Sequence, residues 1–254
     1  MVKILNFSDN DLMQIMRHVC NNNGYESTTH FYELDGEKKI IKLFKPDIDI
    51  DNKIKKMNLI KERTKKIDFL VTADFYVKNG NCIIGYGMPY ICGKEYDYSI
   101  GTNKKENILI LKQLATKLRV LHNLGIVYSD SSHNFLIQDD GEIKLIDHDN
   151  VKIDNLDVDS KTIILKKYVE KTKTFDKRFD NYELNLLTLS TLSSINFLHL
   201  SLGGYRAFKM KLKDDEINNI IFNTFNLDGQ YNEDLIVDKI NNKKDFKKIR
   251  HRFL

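Results

Sequence analysis

Cysteine is scarce in this sequence: Cys20, Cys82 and Cys92 are the only three. An odd count with no C-x-x-C pair argues against a disulfide framework and reads as reduced thiols in a cytoplasmic protein. Long apolar runs are missing as well. None follows the N-terminal Met1-Val2-Lys3-Ile4-Leu5-Asn6-Phe7, and no stretch approaches the length that spans a bilayer. Pro46 and Pro89 are the only prolines, in a chain rich in Lys, Asn and Ile; that usage is read as coding bias with little functional content. There is no G-x-x-x-x-G-K-[ST] phosphate loop and no G-x-S-x-G nucleophile elbow. Internal repeats, low-complexity linkers and a coiled-coil seam are also absent. Neither sign of charge is in large excess, with 40 basic and 36 acidic side chains and a formal net charge of +4. So weak a bias does not by itself argue for nucleic acid or a membrane surface.

What is present is an ordered globular composition, 41% hydrophobic and 30% charged over 254 residues. That length suits one large domain or two small lobes. Leu12, Met13, Ile15 and Met16 predict a turn or two of helix before Asn21–Asn23 and Gly24 break it. Residues 28–35 and 38–44 read as strands around the hairpin turn Asp35-Gly36, with Pro46 ending the second. Ile54, Met57 and Ile60 recur at helical spacing over 51–67, opposite a Lys-rich face whose one acid is Glu62. A second hairpin, 69–77 and 81–87, turns at Asn79-Gly80-Asn81, giving β-β-α-β-β in the first 90 residues. A long helix over 104–123, with Ile108, Leu111, Leu114, Leu118 and Leu121 on one side, ends at Gly125. Short strands at 134–138 and 143–147 flank Asp139-Asp140-Gly141, and helical patterns return at 180–200, 212–226 and 233–240. The expected fold class is α+β, with a β-rich part over 1–89 and a helical part over 90–254.

The densest chemistry lies in Leu121-His122-Asn123-Leu124-Gly125-Ile126-Val127-Tyr128-Ser129-Asp130-Ser131-Ser132-His133-Asn134-Phe135, followed by Ile143-Lys144-Leu145-Ile146-Asp147-His148-Asp149. Asp130 sits on a loop after a long helix, Asn134 starts the next strand, and Asp147 ends the one after, 13 residues on. Phosphoryl transfer needs an acid that orients or deprotonates the acceptor, and oxygen ligands for a hard cation beside the phosphates. A tight hairpin that carries Asn134 and Asp147 can offer an amide and a carboxylate oxygen to one metal.

This pattern resembles the catalytic and metal-binding loops of protein kinases and their small-molecule kinase relatives. The resemblance covers roughly residues 24–200 and is most specific over 121–149. It implies a two-lobed fold that binds Mg-ATP, with Asp130 at the acceptor hydroxyl and Asn134 and Asp147 at Mg²⁺. It also implies that Lys42, inside the apolar Ile40-Ile41-Lys42-Leu43-Phe44, pairs the ATP phosphates. Glu62, twenty residues on, matches the ion-pair partner of such a lysine. Gly24 and Ser27 occupy the place of the phosphate-covering loop. Met88 and Tyr90 fall where backbone groups bond the adenine edge. Asp180 stands where kinases hold the catalytic-loop backbone, and as a helix-opening acid it also reads as a plain cap.

The departures are specific. Three residues, not four, separate Asp130 from Asn134; Tyr128-Ser129 replace His-Arg; Ser132 replaces a lysine; and His148-Asp149 replace Phe-Gly. The segment in the place of the phosphate-covering loop has one glycine. With no Arg before Asp130, switching by activation-loop phosphorylation is not expected. Asp149 is a further candidate metal contact, whereas His122, His133 and His148 read as structural or supporting. Residues 161–179 hold seven Lys or Arg and two acids, a net of +5, which reads as a solvated face of a Lys-rich chain or as a surface for an anionic partner. The expected activity is transfer of the ATP γ-phosphate to a protein Ser/Thr or small-molecule hydroxyl. The alternatives are a pseudokinase that binds nucleotide or protein, and other chemistry on ATP such as nucleotidyl transfer.

Overall fold

The structure, a computed structural model, describes residues 2–20, 26–98, 103–159, 161–193, 196–199, 215–226 and 234–240. It is a mixed α+β fold with an N-terminal β-sheet region and a C-terminal helical region. The chain forms two compact units: Met1–Cys92 with Lys144–Ser160, and Gly93–Ile143 with Lys161–Leu254. Where the sequence suggested a single cut after residue 89, the chain is divided after 92, 143 and 160, because 144–160 belongs with the first unit. Its reason is backbone pairing: Leu145 donates to the Phe69 carbonyl at 2.7 Å and accepts from Val71 N at 2.9 Å.

The first unit is built on a five-stranded sheet of β1 (Lys3–Asn6), β2 (Ser27–Leu34), β3 (Glu37–Phe44), β4 (Phe75–Asn79) and β5 (Cys82–Pro89). The order is β1-β4-β5-β3-β2, with β1 parallel to β4 and the other pairs antiparallel. β1 is a strand that the sequence pattern did not predict. The β2–β3 turn is set by Asp35 at φ 54° and Gly36 at φ 80°, the left-handed pair a tight hairpin demands. Alternate residues of β4 face opposite sides. Phe75 and Val77 join Phe7, Ile15 and Ile41 in one core, whereas Tyr76 joins Tyr86, Met57, Val71, Ala73 and Met88 in the other. Gly85 is required by close approach: a Cβ there would lie 2.2 Å from the Lys42 carbonyl oxygen.

Two helices flank this sheet in sequence. α1 (Asp9–Arg17) starts at a capping box in which Ser8 and Asp11 bond each other's backbone N–H. α2 (Ile50–Arg63) is capped by Asp49 and buries Lys53, Lys56, Met57 and Ile60. Two lysines thus lie on the buried stripe itself and not on the Lys-rich face opposite it.

The second unit begins with β6 (Lys94–Glu95) and α3 (Lys104–Asn123), which Asn103 caps. β7 (Ile126–Val127) leads into the loop that carries Asp130. β8 (Phe135–Ile137) pairs antiparallel with β6, and β9 (Ile143–Leu145) carries the chain back into the first unit. There a 3₁₀ turn, His148–Asn150, and β10 (Lys152–Ile153) follow. The Lys-rich stretch, which showed no clear element in sequence, forms α4 (Ile163–Thr172) behind the Thr162 cap. α5 (Arg178–Ser193) is buried over most of its length, and α6 (Asp215–Asn226) and α7 (Ile236–Lys239) pack with it. Its buried hydroxyls Thr188, Ser190 and Thr191 bond carbonyls four residues back, which satisfies them inside the helix. Asn185 reaches across to cap α7, accepting from Ile236 N at 2.9 Å. Among the described residues no helix is long and apolar enough to cross a membrane.

Candidate functional site

In the first unit β3 carries Lys42 inward, leaving it 8% exposed. A buried ammonium needs anionic partners. Lys42 Nζ bonds Asp147 Oδ1 and lies 3.5 Å from Asp149 Oδ1. Burial pulls the lysine pKa down, but Asp149 and Asp147 more than offset this and hold it above the ordinary value. Asp147 takes a left-handed φ of 66°, sparsely populated for a residue with a side chain. Its carboxyl is pushed up to about 7 by burial and then by the like charge of Asp149, with Lys42 opposing. Asp149, 3% exposed, goes the other way, well below the usual range: Lys42, the bond to Asp147 and Lys53 outweigh burial.

His148 lies between them in sequence and is fully buried. Burial first, then Lys42, Lys61 and Lys53, lower it to about 4 against the pull of Asp149, so the ring is neutral. Its Nε2 accepts from Ala73 N at 3.3 Å, and the ring stands edge-on to Tyr86 at 5.5 Å. It packs the loop and offers no metal ligand through that nitrogen.

The expected ion pair of Lys42 with Glu62 is not formed. Glu62 is exposed on α2. Two residues past Ile60 it lies about 200° around the helix from the buried stripe. That stripe presents lysines instead. Lys53 Nζ bonds Glu26 Oε2, lies 3.1 Å from Asp159 Oδ2 and 3.7 Å from Asp149 Oδ2. Lys56 Nζ bonds Asp159 Oδ2 at 3.0 Å and the Asp157 carbonyl at 2.7 Å. Asp149 therefore sits against both Lys42 and Lys53. Sequence reasoning missed Lys53, Lys56, Glu26 and Asp159; the available signal was that positions 53, 56, 57 and 60 share one helical stripe.

The other first-unit candidates divide. Ser27 opens β2 opposite Phe44 and is 4% exposed. Gly24 lies outside the described residues. Met88 sits in the ladder opposite Ile40, and the Tyr90 N–H already donates to the Lys38 carbonyl at 3.2 Å. The hinge reading placed backbone groups near Met88 to Tyr90 on the adenine edge; of these the Tyr90 N–H is taken up within the sheet, because β5 stays paired with β3 to Pro89.

In the second unit Asp180 is fully buried at the start of α5. It accepts from Tyr128 N and Ser129 N at 2.8 Å each and bonds His122 Nε2 at 2.7 Å. Ser129 takes a left-handed φ of 67°, which turns the chain immediately before Asp130. One helical turn past Asp180, Glu183 is also fully buried. Its Oε2 accepts from Ser131 N at 2.6 Å and Ser131 Oγ at 2.8 Å, and its Oε1 from Ser132 Oγ at 2.8 Å. Burial, then the negative charge of Asp130, push Glu183 up to about 8, against the serine bonds. Sequence reasoning missed Glu183 too; three residues after Asp180 on a helix, it shares that residue's face.

Asp130 itself is half-buried. Burial raises its pKa, opposed by His133 and by a hydrogen bond from Asn134. With its amide nitrogen given to Asp130, Asn134 has its amide oxygen to offer a cation. Tyr128 Oη bonds the Asn134 carbonyl at 2.9 Å and fixes the far end of the loop.

In the first unit Asp147 offers a carboxylate oxygen, the kind of donor a hard cation such as magnesium takes, and His148 is turned to Ala73. Among the described residues no group of three or more His, Cys, Asp or Glu side chains could hold a metal alone. No protein-family model and no curated protein matches this chain.

Proposed function

We propose that this chain is an ATP-dependent phosphotransferase of the protein-kinase-like kind, which moves the γ-phosphate to a hydroxyl on a protein Ser/Thr or a small molecule. The observation that carries the reading is the meeting of Lys42 and Asp147, 105 residues apart in sequence. The resemblance assigned Lys42 to the phosphates of a nucleotide and Asp147, separately, to the Mg²⁺ beside them. In this reading the sheet-bearing unit is the nucleotide lobe and the helical unit the acceptor lobe. Lys42 neutralises the α/β-phosphates, held by Asp149 in the place of Glu62. Asp147, beside Lys42, would supply a carboxylate oxygen for Mg²⁺, which when bound would neutralise charge developing on the transferring phosphoryl group.

Asp130 orients the acceptor hydroxyl. The acceptor oxygen forms a bond to Pγ, the Pγ–O bond to ADP breaks, and the hydroxyl proton passes to the Asp130 carboxylate. A carboxylate whose pKa burial has raised is a better base for that proton than an exposed one. Lys161, Lys166, Lys167, Lys173 and Lys177 are exposed around α4 and offer charge to an anionic acceptor. Free thiols at Cys20, Cys82 and Cys92 fit a cytoplasmic setting.

The shortened Asp130–Asn134 spacing and the occupied Tyr90 N–H favour a second reading, a pseudokinase that binds nucleotide without turnover. Asp130→Asn separates the two. For an enzyme, release of ³²P-phosphate from Mg-ATP falls by about a hundredfold or more while stabilisation by Mg-ATP is retained. Equal product signals from wild type and variant would remove the catalytic reading.

A further inference from the structure

Asp130 stands in a loop gripped from both sides by one helix. Asp180 holds the backbone of the two residues before it, and Glu183 holds the two after it. Both acids project from the first two turns of α5, three residues apart. Residues 128–129 and 131–132 are thereby pinned to a rigid element, and Asp130 stands between the two pinned pairs.

Glu183 is a costly residue to place there. A buried carboxyl needs hydrogen bonds or a cation, and among the described residues no lysine or arginine pairs with it. Its bonds go to Ser131 and Ser132. An apolar side chain there would leave the buried Ser131 N–H and the hydroxyls of Ser131 and Ser132 without this acceptor, so the carboxyl is what holds this loop to α5. The two serines are the residues left after the loop is one shorter than the family pattern. A shorter loop moves its acid unless something resets the backbone, and small misplacements are expensive in phosphoryl transfer.

We infer that Glu183 is a positioning residue for Asp130, and that its three bonds to Ser131 and Ser132 compensate for the shortened catalytic loop. The inference rests on the phosphotransferase reading for what Asp130 does, but the clamp itself can be read separately. Glutamine can replace glutamate in it. Its amide oxygen accepts from both donors of Ser131, and its NH₂ donates to Ser132, whose hydroxyl turns to accept. Alanine can do neither.

The test uses the full chain as wild type, Glu183→Ala, Glu183→Gln and the double variant Ser131→Ala/Ser132→Ala. Far-UV circular dichroism first sets a temperature at which each is folded. Two readouts follow: hydrogen exchange of the 128–133 segment, and phosphate release from Mg-ATP with water as acceptor. Glu183→Ala should speed exchange at Ser131 by about tenfold or more. It should lower kcat about a hundredfold with KM for ATP within about threefold of wild type. Glu183→Gln should restore both to within about fivefold of wild type. If Glu183→Ala does not fold, the double serine variant should show the same split of kcat from KM. A folded Glu183→Ala with wild-type kcat, or one in which kcat and exchange are lost equally in Glu183→Gln, overturns the inference. Wild type that releases no phosphate above the Asp130→Asn background overturns the phosphotransferase reading and Glu183's catalytic role with it; the exchange data then still report whether the clamp exists.

Discussion

Glu183 and His148 are buried titratable groups whose pKa values move in opposite directions. Glu183, raised from 4.5 to about 8, binds its proton more tightly in the folded protein than in the unfolded chain. Its contribution to stability is therefore fully present below 4.5 and lost as pH rises through about 8. The groups that face it are Asp130, Asp180, Ser131 and Ser132. Subtracting the melting temperature of Glu183→Gln from that of wild type at each pH isolates this residue. The difference should fall between about pH 5 and about pH 8 and then level off; a flat difference contradicts the burial of this carboxyl. His148, lowered from 6.5 to about 4, is a base held neutral, so its contribution is present above 6.5 and lost as pH falls through about 4. Residues like these are hard to read in sequence. Asp130, Asp147 and Lys42 stood out because a pattern names them, whereas Glu183 matters only through three bonds that the α5 geometry creates.

α2 shows what periodicity conveys and what it conceals. The stripe through Met57 and Ile60 predicted a helix over 51–67, and the helix spans Ile50–Arg63. The sequence reading placed the lysines on the face opposite the stripe, but Lys53 and Lys56 belong to the buried stripe by angle, and Glu26, Asp149 and Asp159 receive them. Those acids lie far away in sequence, so no local pattern announces them. The same geometry leaves Glu62 outside. Lys53→Met should cost about 3–5 kcal/mol, because it strands buried carboxylates. Glu62→Ala should stay within about 0.5 kcal/mol. Urea unfolding of both variants checks the contrast, and a larger loss from Glu62→Ala would restore the partner role that the geometry denies it. β1 was missed for a related reason: four residues pair in parallel with β4, some seventy positions on, and Lys3-Ile4-Leu5-Asn6 alone is too short to declare itself.

Over the whole chain, the hairpins at Asp35-Gly36 and Asn79-Gly80, the long α3 and the strand pair around Asp139–Gly141 were legible because turn chemistry and apolar spacing are local. The return of 144–160 to the sheet-bearing unit was not, since it depends on backbone bonds from Leu145 to Phe69 and Val71. That return is what brings Asp147 and Asp149 to Lys42, so the central functional claim rests on a long-range fact. A thermal-shift titration with ATP, in excess Mg²⁺ and again in EDTA, on wild type and Asp147→Ala, tests it most directly. Ligand that binds only the folded state must raise the melting temperature, by the equivalent of about 2.7 kcal/mol at a hundredfold excess over Kd. The account predicts a shift in wild type that requires Mg²⁺ and is lost or much reduced in Asp147→Ala. No shift in either condition, or a shift that Asp147→Ala leaves intact, would contradict it.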